Sequence, residues 1–142
     1  MSWEQVNIKF EGLPRGFNLI TDTILDKIPQ IKSFRIGLLN IFLKHTSASL
    51  SINENACSDV RQDLESYFNK FVPENEPYYR HTLEGSDDMP AHIKSSILGS
   101  SLSVPISSGR LNLGTWQGIF LCEHRSLPHT RTLTATINGE KY

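Results

Sequence analysis

With 142 residues, 14 Lys and Arg against 15 Asp and Glu, and a formal charge of −1, the chain has the length of one domain able to bury a core. Apolar residues recur along nearly the whole sequence, which excludes wholesale disorder. The near-zero charge without a basic run argues against a dedicated nucleic-acid binder, and no apolar stretch reaches the roughly 20 residues of a membrane helix.

From Glu4 to Phe10, Val6, Ile8 and Phe10 alternate with Gln5, Asn7 and Lys9, the pattern of a half-buried strand. Gly12, Pro14 and Gly16 break it, and Gly16 to Ile20 is expected to return as its partner strand. Thr21 or Asp22 is placed to cap a short helix with Ile24, Leu25 and Ile28 on one face, stopped by Pro29. Phe34 to His45 follows, with Phe34, Ile36, Leu38 and Phe42 on one side and Leu39, Ile41 and Leu43 on the other. Apolar residues on both faces predict a central strand covered on both sides. Ala48 to Ile52 continues as a strand of small residues. Ser58 to Phe71 carries Val60, Leu64, Tyr67, Phe68 and Phe71 on one helical stripe, with Ser58 or Asp59 as the cap.

Val72 to Met89 is polar, with Pro73, Pro77 and Gly85, and reads as a loop long enough to be functional. It carries Tyr78, Tyr79, Arg80 and His81. Pro90 opens a helix that runs through Leu98 and closes at Gly99. Four strand-like pieces complete the chain: Ser101 to Ile106, Arg110 to Leu113, Gly118 to His124, and Arg131 to Asn138. The last sets Arg131, Leu133, Ala135 and Ile137 against a Thr-rich face. The expected fold is α+β: one domain over residues 1–142, with β-rich, sandwich-like sheets and about three helices.

The two cysteines, Cys57 and Cys122, form no CxxC pair, so neither a disulfide framework nor a thiolate zinc site is expected. The N-terminus lacks a basic start followed by an apolar block. A reducing, cytoplasmic setting follows as the expectation. There is no GxSxG elbow and no P-loop, which disfavours a serine hydrolase and a P-loop NTPase.

Imidazoles and carboxylates gather in three places: His45 to Asn55, His81 to Lys94, and Gly114 to Arg125. Neutral imidazole is the commonest metal ligand, yet the spacings match no local motif, so each histidine is open between ligand and ordinary side chain. Asp87 and Asp88 suit either magnesium or general-base work, or a helix cap. Glu123 shares a strand face with Ile119 and Leu121 and must find a partner or shift its pKa; Arg125 is the nearest candidate. Glu54 reads equally as an acid/base group or a cap. Ser47 and Ser49, with Thr46 and Ser51, are either donors to a phosphate or small residues for close packing.

The segments HTSASLSINENA (His45 to Ala56), YRHTLEGSDDMPAHIKSSILGSSLSVPI (Tyr79 to Ile106) and GRLNLGTWQGIFLCEHR (Gly109 to Arg125) resemble the YjbQ-like family of secondary thiamine-phosphate synthase enzymes. PRGFNLITD (Pro14 to Asp22) fits as well. The resemblance implies a small cytosolic protein that assembles as a homotrimer, with a metal or anion site near subunit boundaries. It implies His45, His81 and His92 as ligands of a divalent metal, and Glu54, Glu84, Asp88 and Glu123 as acid/base or supporting carboxylates. Clustered imidazoles favour zinc, with magnesium the alternative. The implied reaction joins a pyrimidine methyl diphosphate to a thiazole phosphate and releases diphosphate, as a side activity; Lys94 or Arg125 could meet the diphosphate, and Ser47 and Ser49 the phosphate. Two other readings remain: a zinc hydrolase of a phosphorylated metabolite, and a non-catalytic trimer that binds an anion or metal.

Overall fold

The computed structural model describes all 142 residues, Met1–Tyr142. In chain order the elements are β1 (Ser2–Glu11), β2 (Gly16–Leu19), α1 (Thr21–Lys27), a 3₁₀ turn (Pro29–Ser33), β3 (Phe34–Leu43), β4 (Ala48–Glu54), α2 (Ser58–Phe71), α3 (Asp88–Leu98), β5 (Ser101–Ser107), β6 (Arg110–Leu111), β7 (Gln117–Glu123) and β8 (Thr130–Lys141). The strands form a five-stranded sheet, β1-β8-β3-β5-β6, and a three-stranded sheet, β2-β7-β4. All the pairings are antiparallel. The α+β expectation holds.

The two sheets stack face to face. Leu39, Ile41, Leu133, Ala135 and Ile137 from the larger sheet meet Ala48, Leu50, Ile119 and Leu121 from the smaller one. Truncating one of these, as in Leu39→Ala, costs roughly 2–5 kcal/mol. The outer face of the smaller sheet is covered by helices: Phe17, Phe120 and Cys122 pack against Leu64 and Phe68 of α2 and Leu98 of α3. The smaller sheet is thus the middle layer, and β7 is buried on both faces from Gly118 to Glu123.

Several expectations are corrected. β2 pairs with β7, not β1. Strand β3 is covered on one side only: Ile36, Leu38 and Phe42 stay about half exposed, because nothing in the chain packs on the outer face of the large sheet. Phe34 leaves that group and is buried, since a register shift between Phe34 and Ile36 reverses its facing. The caps also differ. Cys57 holds the N-cap position of α2, and Glu54 accepts its amide at 3.0 Å. Thr21 accepts the Ile119 amide instead of capping α1. On α2, Tyr67 and Phe71 face outward and stack on each other, while Leu64 and Phe68 pack inward. Helix α3 starts at Asp88, one half-turn before Pro90, with Asp87 at its N-cap position and no side-chain cap bond. Gly99 ends it in a positive-φ conformation that suits glycine, as expected.

Candidate metal centre

Helix α3 brings Asp88 and His92 onto one face, four residues apart. The loop before the helix folds His81 onto the same spot. Nε2 of His81 lies 2.6 Å from Oδ2 of Asp88, and Nε2 of His92 lies 3.2 Å from the same oxygen. The three ligand atoms lie within 4.8 Å of one another. Asp88 is buried, His92 partly exposed and His81 exposed, so the cluster opens to solvent on the imidazole side.

Nδ1 of His92 lies 2.9 Å from the carbonyl of Thr46. A carbonyl only accepts, so Nδ1 carries the proton, and in the neutral ring the Nε2 lone pair faces Asp88. Two acceptors at that separation repel unless a proton or a cation lies between them. Two imidazoles and a carboxylate form a donor set suited to zinc and other nitrogen-loving divalent ions. The residues therefore fit a metal.

Arg125 holds the carboxylates from behind. Its Nε donates to Oδ2 of Asp87 at 2.8 Å, one terminal nitrogen meets Oδ1 of Asp88 at 2.8 Å, and the other donates to the Glu84 carbonyl at 2.8 Å. Burial opposes ionisation of both acids. For Asp87 the Ser126 amide and Arg125 outweigh it, and for Asp88 the bonds from its neighbours and the Arg125 charge do. Both pKa values therefore fall below the usual carboxylate value. Glu84 stands at the mouth, 63% exposed, with Oε2 3.5 Å from Nε2 of His81.

Two polar basins flank the cluster. One, of about 390 Å³, touches His81 and includes Asn75, Glu76, Tyr79, Thr82 and Met89. The other, of about 350 Å³, is bounded by His92, His45, Thr46, Ser95 and Ser100.

His81 and His92 thus come together, but the third donor is Asp88 and not His45. Nε2 of His45 accepts the Thr132 amide at 2.8 Å, so the proton of the neutral ring sits on Nδ1 and no lone pair is left for a cation. Burial, helped by Arg131, lowers its pKa and keeps it neutral. The residues expected to bind an anion are each engaged inside the protein. Ser47 receives Arg131 at 3.1 Å, and Ser49 is fully buried, 2.8 Å from Nε2 of His124. Lys94 is buried and donates to Asn69 at 2.7 Å, and Arg125 is occupied by Asp87, Asp88 and Glu84.

Glu123 does find a partner on its apolar face, but the partner is Arg131 of β8, which grips both oxygens at 2.8 and 2.5 Å. Arg125 gives it only a backbone amide. Glu54 bonds the start of α2. Neither carboxylate touches the His81–Asp88–His92 cluster, which removes them from acid/base work there. The sequence reading offered Asp88 for magnesium or acid/base work but missed its union with the two histidines, although its four-residue spacing from His92 on a helix was a usable signal. It also missed the buried Ser49–His124 pair, foreshadowed by the period-two placement of Phe120, Cys122 and His124.

A family described as UPF0047 protein YjbQ-like matches residues 6–140. The UPF0047 protein YjbQ of Salmonella typhimurium is 53% identical over 138 residues, 97% of this chain and 99% of that protein. YugU of Bacillus subtilis, another UPF0047 protein, is 39% identical over 83% of this chain and 91% of its own length. A YbjQ-like protein of unknown function from Sulfolobus solfataricus superposes with a TM-score of 0.85 at 25% identity, covering 98% of this chain and 99% of that one. An uncharacterised YjbQ/UPF0047 protein from Clostridium acetobutylicum gives 0.83 at 33% identity, over 94% and 99%.

Proposed function

The chain belongs to the UPF0047 family of YjbQ-like proteins, and we propose that it is a metal-dependent enzyme of a small phosphorylated metabolite, with zinc held by His81, Asp88 and His92. The observation that carries this reading is the approach of His92 Nε2 to Asp88 Oδ2 at 3.2 Å, with Nδ1 already committed to Thr46. Magnesium is the second choice, because two of the three donors are imidazoles.

A divalent cation there supplies positive charge to phosphate oxygens and to a departing group. Arg125 is engaged by Asp87, Asp88 and Glu84, and Lys94 is buried and bonded to Asn69, which leaves this charge to the cation. Asp88, fixed by Arg125, holds the anionic donor still. Thr46 sets the tautomer of His92. Tyr79 and Met89, in the basin beside His81, offer contact to the organic part of a substrate.

The family resemblance favours transfer, in which a thiazole phosphate displaces diphosphate from a pyrimidine methyl diphosphate and thiamine phosphate results. Glu84 favours a second reading, hydrolysis of a phosphate ester, because an exposed carboxylate beside the cluster is placed to take the proton of an attacking water. Purified protein should contain one zinc per chain by elemental analysis, lost in His81→Ala and His92→Ala and kept in His45→Ala. Thiamine phosphate formed from the two substrates, abolished by chelator, would support transfer. Chelator-sensitive phosphate release from a panel of phosphorylated metabolites would support hydrolysis. Binding without turnover of either kind would leave the non-catalytic trimer.

The chain is further proposed to work as a homotrimer in the cytoplasm. Trp3, Ile36, Leu38 and Phe42 expose apolar surface on the uncovered face of the large sheet. Cys57 is an exposed free thiol, which suits a reducing compartment. No helix is long and apolar enough to cross a membrane. Sedimentation velocity should give three times the 16.1 kDa chain mass, and Leu38→Glu should shift the protein toward the monomer.

A further inference from the structure

We propose that Arg125 is the positioning residue of this site: before any ligand arrives its guanidinium fixes the Asp88 carboxylate and the loop that carries His81, beside His92, which the Thr46 carbonyl holds. The inference rests on the reading of His81, Asp88 and His92 as a metal site.

His81 lies on an irregular loop, outside every helix and strand. A donor carried on such a segment samples many positions unless something ties it down, and ordering it at the moment of binding weakens affinity. Arg125 is the tie. It lies two residues past the end of β7, the strand buried on both faces, so its backbone is anchored at the edge of the middle layer of the protein. Its own amide donates to Oε2 of Glu123 at 3.2 Å. From that anchor the guanidinium reaches three acceptors of one short segment: the Glu84 carbonyl, Asp87 and Asp88. The next amide, Ser126, adds a fourth tie, to Oδ2 of Asp87 at 2.8 Å. Only the planar fork of arginine addresses three acceptors in this way; a lysine ammonium would carry the charge without the geometry.

Two effects of Arg125 oppose each other. Its charge draws electron density from Asp88 and weakens the carboxylate as a ligand. Its hydrogen bonds hold Oδ2 toward the imidazoles and keep the His81 loop closed. Positioning dominates, because an open loop removes the His81 donor altogether, whereas the charge acts on the far oxygen of Asp88.

The test titrates metal-free wild type, Arg125→Gln and Arg125→Lys with Co²⁺, reading the visible absorption bands. In parallel, the imidazole signals of His81 and His92 are recorded by NMR without metal. Both variants are expected to bind Co²⁺ about 10–100-fold more weakly, the usual consequence of losing a partner that orients a ligand. In both, the metal-free His81 signals should move toward those of a free imidazole. Unchanged or tighter binding in both variants would overturn the proposal, as would wild-type affinity in Arg125→Lys, which would make charge the operative property. If wild type binds no Co²⁺, the metal reading fails by itself. Positioning then stands or falls on the metal-free signals: loss of the distinct His81 environment in the variants supports it, and unchanged spectra refute it. Arg125→Lys keeps a charge against Asp87 and Asp88, so the comparison stays readable if Arg125→Gln does not fold.

Discussion

Two arginine–carboxylate pairs meet around the end of β7, and they do different things. Glu123 and Arg131 are 0% and 4% exposed, and the guanidinium takes both carboxylate oxygens. The pair joins β7 of the small sheet to β8 of the large one and leaves nothing over. Asp88 is as deeply buried as Glu123, but Arg125 takes only Oδ1, and Oδ2 is left to two imidazoles. The two carboxylates are alike in burial and charge. What separates a structural pin from a ligand-binding group is the lone pair that remains unclaimed and faces other donors.

The largest expected effect tests the pin. Glu123→Ala leaves Arg131 buried without its counter-charge, so urea unfolding should show a loss of roughly 3–5 kcal/mol. Co²⁺ binding by the folded fraction should be unchanged. A loss below about 1 kcal/mol would break the contrast, since Glu123 would then not be the pin it resembles.

A smaller effect comes from His124, which lies between Glu123 and Arg125 in the chain but faces the helices. Burial, reinforced by Lys94 and Arg15, pushes its pKa from 6.5 down to about 3. The unfolded chain takes up this proton as pH falls through 6.5, and the folded chain does not until about pH 3. Stability is therefore fully present above the unfolded pKa and falls on acidification, by about 2 kcal/mol between pH 7.5 and 5. His45, lowered for the same reason, acts in the same direction. Thermal melts across this range should show the decline, and His124→Gln should flatten it. An unchanged slope in that variant would leave His45, and not His124, as the source of the acid sensitivity.

Local periodicity made much of the fold legible. The alternation of β1 and β8, the span of α2 and the stop at Gly99 depend on neighbouring residues alone. Apart from the helix caps and the facing of single residues such as Phe34 and Tyr67, the failures were long-range. Whether Ile36, Leu38 and Phe42 are covered depends on what packs against the large sheet, which the strand does not encode. The partner of Glu123 came from across the sandwich at Arg131, not from the next residue on its own strand. In the site, His92 and Asp88 were readable from helical spacing, whereas the place of His81 depends on a loop held by Arg125. His45, with the same chemistry in sequence, is claimed by a backbone amide that only the folded chain supplies.

The smallest change in folding is expected at Asp88, where the change in ligand binding is large. Asp88→Asn keeps an oxygen for Arg125 and a side chain of the same shape. It removes the charge but leaves Asp87 to neutralise the guanidinium, at 2.8 Å from Nε. Unfolding free energy should drop by only about 1 kcal/mol, the net worth of one hydrogen bond. The amide is a poor ligand for zinc or Co²⁺, and where it turns its nitrogen toward the imidazoles it presents no lone pair at all. Co²⁺ affinity should therefore fall at least as far as the roughly 100-fold upper range for losing an orienting partner. The pattern is the reverse of that for Glu123→Ala, where stability suffers and binding does not. If Asp88→Asn instead unfolded as readily as Glu123→Ala while still binding Co²⁺, Asp88 would be a second pin, and the unclaimed oxygen would carry no chemistry.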